Sequence, residues 1–157
     1  MGVYKLLTPR VSYSSKDLSL LDLHDSNLES ANRTGTTLEL VFDWAKLARL
    51  AEESIAEPVI LGQTTLTLAG IREEGFKIYE DDAGAMRDMP LGDGASKLEL
   101  IVANKLPAPT TLLITGLLNE DAGSNWAEWR VAFTDCTIFW HSFITRTEWL
   151  AGKLSKH

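Results

Sequence analysis

One short pattern recurs along the chain and limits what it can fold into. It reads Thr36-Thr37-Leu38-Glu39-Leu40, Thr64-Thr65-Leu66-Thr67-Leu68, Ser96-Lys97-Leu98-Glu99-Leu100 and Thr110-Thr111-Leu112-Leu113-Ile114. Each copy follows a Gly or Pro within three residues. Apolar and polar residues in alternation put one set of side chains on each face of a strand, and a preceding turn residue marks where the strand begins. The four copies read as four strand starts, because any β protein reuses this chemistry, and not as four evolutionary repeats.

The first hairpin can be drawn in detail. Residues 27–33 form one arm, Thr34-Gly35 the turn, and residues 36–43 the return, on which Leu38, Leu40 and Phe42 share a core face. Residues 43–57 read as the one helix: Asp43 is an N-cap, Trp44, Leu47, Ala48, Ala51 and Ile55 lie on one stripe, and Pro58 ends it. Residues 59–61 and 64–71 follow as strand, broken at Gly62, with 75–80 as its partner. Residues 81–96 form a long loop. Residues 97–104 and 110–118 are the most buried strands, and 126–134 with 137–144 form a closing hairpin around Asp135-Cys136. The expectation is a single domain over residues 1–157, with a frayed tail from about residue 151. It is mainly β, a β-sandwich or open barrel of about eight antiparallel strands, with one inserted α-helix near residues 43–57.

The chain has 157 residues, of which 45% are hydrophobic and 24% charged, a balance that supports a core and argues against disorder. Cys136 is the only cysteine, so neither an internal disulfide nor a cysteine-rich zinc site can form. No apolar run approaches the roughly 20 residues that span a bilayer, and the first residues lack the apolar core of a signal peptide. Met1-Gly2 is followed by Leu6 where a myristoylation pattern has Ser or Thr. A cytoplasmic protein without a membrane partner is expected. The net charge is −7, and Lys and Arg are scattered, which excludes nucleic acid as a partner and suits a basic protein.

Motifs that carry chemistry are scarce. Leu23-His24-Asp25-Ser26 holds the residue types of a serine-hydrolase triad, but neighbours in an extended chain point to opposite faces and cannot converge. No Gly-x-Ser-x-Gly elbow exists. His24, His141 and His157 have no ligand spacing, and the acids of 81–94 miss the calcium-loop pattern, so no metal site is expected. Gly92-Asp93-Gly94 is followed by neither a Lys nor a helix start, and nothing in the sequence asks for a cofactor. Cys136 has no activating neighbour. Trp126, Trp129, Trp140 and Trp149 crowd the last 32 residues. Alternation sends Trp126 and Trp129 to opposite faces, so one aromatic set belongs to the core and the other to a surface. The candidate binding residues are His24, Asp25, Trp126, Trp129, Trp140 and His141, with no catalytic residue among them.

Residues 23–28 leading to Leu38-Glu39-Leu40-Val41-Phe42, together with Leu113-Ile114-Thr115-Gly116-Leu117, Trp129-Arg130-Val131-Ala132-Phe133 and Ile138-Phe139-Trp140, resemble a group of small uncharacterised bacterial proteins. Some of these are regarded as immunity-like partners of bacterial toxins. The resemblance covers short patches and omits residues 43–57. It implies a β-rich fold, a protein partner and no catalytic residue. Three functions follow: a non-catalytic interaction domain, in its sharpest form one that blocks a basic toxin; a small-ligand binder or enzyme with a cavity between sheets lined by Trp129, Trp140 and His141 near His24 and Asp25; and a structural homodimer joined through an edge strand or the closing hairpin.

Overall fold

A computed structural model describes residues 13–50, 54–80, 85–88, 98–120 and 123–152. Its strands are β1 (Tyr13–Ser15), β2 (Leu21–Asp22), β3 (Leu28–Thr34), β4 (Thr37–Phe42), β5 (Ala45–Leu47), β6 (Val59–Leu61), β7 (Thr64–Ala69), β8 (Glu73–Glu80), β9 (Ala85–Asp88), β10 (Leu98–Ala108), β11 (Thr111–Glu120), β12 (Gly123–Ala132), β13 (Asp135–Trp140) and β14 (Phe143–Thr145). A 3₁₀ turn covers Leu18–Leu20, and the one α-helix among the described residues, α1, covers Arg146–Leu150. The protein is mainly β, and all strand pairs are antiparallel.

The strands form three sheets. The first has the order β1-β13-β7-β4-β3, the second β10-β11-β12-β8-β9, and the third β14-β6-β5-β2. The first and third sheets are one set of strands folded along a line. β4 and β5 are separated by Asp43-Trp44, β6 and β7 by Gly62-Gln63, and β13 and β14 by His141-Ser142. These breaks align: Phe42, Thr64 and Trp140 pair at the end of the first sheet, and Ala45, Leu61 and Phe143 at the start of the third. The fold line has a steric requirement. A Cβ at Gly62 would run into the Ser142 hydroxyl, while the Gly62 N–H donates to Ser142 O at 2.9 Å. The buried Thr64 hydroxyl donates to Gly62 O at 2.8 Å.

The alternation seen in the sequence selects the core. Leu38, Leu40 and Phe42 of β4, Leu66 and Leu68 of β7, and Ile138 and Trp140 of β13 are buried. They merge in one cluster with Phe76 and Ile78 of β8, Leu112 and Ile114 of β11, and Ala127, Trp129 and Val131 of β12. Each fully buried Leu- or Phe-sized side chain contributes about 1.5–3 kcal/mol. The first hairpin turns through Gly35-Thr36 rather than Thr34-Gly35, with Thr34 paired to Thr37. Gly35 has φ +62, which suits the first central position of a tight hairpin.

Several expectations are corrected. The described residues of 43–57, 43–50 and 54–57, are not helical: β5 pairs with β6 and β2, and a bridge joins Leu50 to Ile55. Residues 51–53 lie outside the described residues. Helix propensities differ by only tenths of a kcal/mol per residue. They yield here to two ladders and to the burial of Ala45, Leu47 and Leu50. Asp43 does accept from backbone, but from Trp44 at 2.9 Å and Asn27 at 2.8 Å, not from a helical turn. Residues 126–144 are not a hairpin either, since β12 pairs with β11 and β8 while β13 crosses to the first sheet. β8 pairs with β12 and β9, not with β7. Within 81–96, residues 85–88 form β9 and the remainder lies outside the described residues, as does the tail beyond 152. Helix α1 is capped by Thr145, whose hydroxyl accepts from Glu148 N at 3.1 Å in a capping box.

Candidate functional site

The second sheet meets the first through the turn that contains His24, Asp25 and Ser26. Asp25 has φ +69, a left-handed conformation that Asp tolerates better than most residues. The chain therefore turns at 24–25 and is not extended. Asp22 Oδ1 accepts from His24 N at 2.9 Å, a side-chain turn bond that favours this geometry. The turn is fastened to β10: Asp25 N donates to Ile101 O at 2.9 Å, and Ile101 N donates to Ser26 O at 2.8 Å. Asn104 accepts from Leu23 N at 2.8 Å and donates to Leu21 O at 2.9 Å. A bridge from Asn27 to Leu100 completes the junction.

The triad residue types do not assemble into a triad. His24 Nδ1 lies 2.6 Å from Val102 O, so that nitrogen carries the proton. Nε2 stands 3.5 Å from Asp25 Oδ2, and the two side chains are 53% and 63% exposed. Ser26 is 0% exposed, and its hydroxyl has no hydrogen-bond partner among the described residues. His24 and Asp25 thus meet, contrary to the opposite-face expectation, because the backbone turns. Ser26 faces inward without a bond to either.

Residues the sequence reasoning missed complete this end of the molecule. Trp44 is half-buried, and its indole N–H donates to Asp25 O at 3.2 Å. Lys46 Nζ sits 5.1 Å from the Trp44 ring centroid. Asp43 holds Asn27 through both its backbone and its side-chain nitrogen, at 2.8 and 3.0 Å. Asp25 and Asp43 therefore lie beside Trp44, and Asp22 is the ladder partner of Lys46, whose ammonium sits over that ring. Asp22-x-His24 was the one local signal for the turn. Nothing in the sequence pointed to Asn104 across 81 residues.

The other candidates are dispersed. Trp126 is 39% exposed on the outer face of β12. Trp129 is buried in the second sheet and donates to Glu74 Oε2 at 2.8 Å. Trp140 is buried in the first sheet, stacked on Tyr13 with centroids 6.0 Å apart. His141 is exposed at the fold line. Two surface depressions, of about 460 and 220 Å³, are lined by none of His24, Asp25, Trp126, Trp129, Trp140 and His141. Burial pushes the Cys136 thiol up, with Asp135 adding to the effect, so the thiolate is disfavoured. Among the described residues no group of three His, Cys, Asp or Glu could hold a metal ion, and no helix is long and apolar enough to cross a membrane.

Comparison of the chain with protein-family models, with curated proteins and with solved structures finds no match.

Proposed function

We propose that the protein is a non-catalytic protein-interaction domain, a β-sandwich in type, that presents the end around Asp22, Asp25, Asp43 and Trp44 to a basic protein. A toxin held by an immunity-type partner is the sharpest form of this function. The observation that carries it is the fastening of an exposed acidic turn to β10 by main-chain and Asn104 bonds beside an aromatic ring. A Lys or Arg of the partner would replace Lys46 over the Trp44 ring and pair with Asp25. A turn already held in place loses little entropy when it binds. The net charge of −7 adds long-range attraction.

The test is capture from the native host at low and high salt. The expected result is a basic partner whose retention falls with salt and is lost in Asp22→Asn/Asp25→Asn and in Trp44→Ala, but kept in Thr67→Ala on the outer face of β7. Capture that ignores both salt and these substitutions would exclude this end as the contact.

A further inference from the structure

We propose that the outer face of the second sheet carries a separate site for an amino-acid zwitterion, built around Gly75 and Arg130. A glycine inside a strand weakens the strand, and it is usually explained by a bulge, a bend or the close approach of another group. None of these explains Gly75 from within the chain. β8 pairs with β12 in continuous register from Glu73 to Ile78, without a bulge. Gly75 is not among the residues with positive φ, and a Cβ built on it meets nothing within 4 Å. The missing side chain instead opens the floor of the depression of about 460 Å³, which is bordered by Glu73, Glu74, Thr111, Arg130 and Ala132.

The charges around this notch are arranged for a ligand with two opposite poles. Both Glu74 oxygens are engaged, one by Arg33 and the other by the Trp129 indole. Arg130 and Glu73 are exposed, and neither forms a side-chain hydrogen bond or ion pair with any described residue. Arg130 pairs across the ladder with Gly75, and Ala132 with Glu73. Arg130 and Glu73 are thus diagonal neighbours on one face, about 7–8 Å apart. They lie across the notch and do not pair with each other. A carboxylate fits the Arg130 guanidinium fork, and an ammonium next to it fits Glu73. The Thr111 hydroxyl can donate or accept beside them. The site is open and polar, so it selects a small hydrophilic ion rather than an apolar ligand, with millimolar affinity.

The test is a nitrogen–proton NMR titration of the whole chain with glycine, with triglycine, whose poles are far apart, and with acetate and methylammonium, which carry one pole each. Saturable shifts centred on the Glu73, Gly75, Thr111 and Arg130 amides are expected with glycine and not with the other three probes. Arg130→Gln should weaken glycine by about tenfold or more. Gly75→Val fills the notch with a strand former and should abolish binding, while its thermal melt stays at or above that of the parent. Absence of saturable shifts at these amides overturns the proposal. Equal shifts in both variants, or binding of triglycine in place of glycine, would do the same.

Discussion

Arg33 on β3 and Glu74 on β8 belong to different sheets, and their ion pair ties one sheet to the other. The Glu74 side chain is 5% exposed and that of Arg33 33%. Arg33→Ala leaves a buried carboxylate with only the Trp129 indole as donor. Breaking a fully buried pair costs about 3–5 kcal/mol. Arg33 is a third exposed, so water screens the pair, and about 1.5–3 kcal/mol is expected. In urea, with a slope of about 2 kcal/mol/M, the midpoint should fall by about 1 M. Glu74→Gln removes the charge but leaves an oxygen for Trp129, so it should cost less, about 1 kcal/mol. The double variant should be more stable than the sum of the two losses predicts, because Arg33→Ala no longer strands a charge. An unchanged midpoint in Arg33→Ala, or strict additivity in the double variant, would refute the inter-sheet tie.

Gly116→Ala places a Cβ 2.5 Å from Leu100 O, which must move, and should cost about 1–3 kcal/mol in thermal or urea unfolding. Asn104→Ala removes the bonds to Leu21 and Leu23 and should cost about 1–3 kcal/mol, with faster amide exchange at Asp25. The Thr147 backbone N–H, donating at 2.9 Å, holds the Glu57 carboxyl below its ordinary range. A depressed carboxyl contributes fully above its unfolded value of about 4.3 and loses that contribution as pH falls through the folded value. The first turn of α1 should therefore loosen in that acid window, read by Trp149 fluorescence, and Glu57→Gln should reduce the pH dependence.

The sheets were legible where one face is wet and the other dry. The alternation of Thr37, Glu39 and Val41 with Leu38, Leu40 and Phe42 survives intact in β4. So does that of Trp126, Glu128 and Arg130 with Ala127, Trp129 and Val131 in β12. Pairing was not legible, because period two names a face but not a neighbour. β12 and β13 are adjacent in sequence yet serve different sheets. The stripe in residues 43–57 misled because Ala45, Leu47 and Leu50 also suit a short strand, and the ladder with β6 decides. Helix α1, at residues 146–150, had its Thr145-x-x-Glu148 signature in plain view. At the site, His24 and Asp25 were named from residue type alone. Their meeting depends on the φ +69 turn, and the turn on Ile101 and Asn104, which no local pattern could supply.

The most direct test is a set of interstrand proton contacts by NMR. The 23–27 turn docked on β10 should give an Asn27 Hα–Leu100 Hα contact and slow exchange at the Asp25 and Ile101 amides, with strand-type shifts over residues 45–47. Helical shifts across residues 43–57, with no contact between Asn27 and Leu100, would contradict both the fold line and the platform on which the interaction depends.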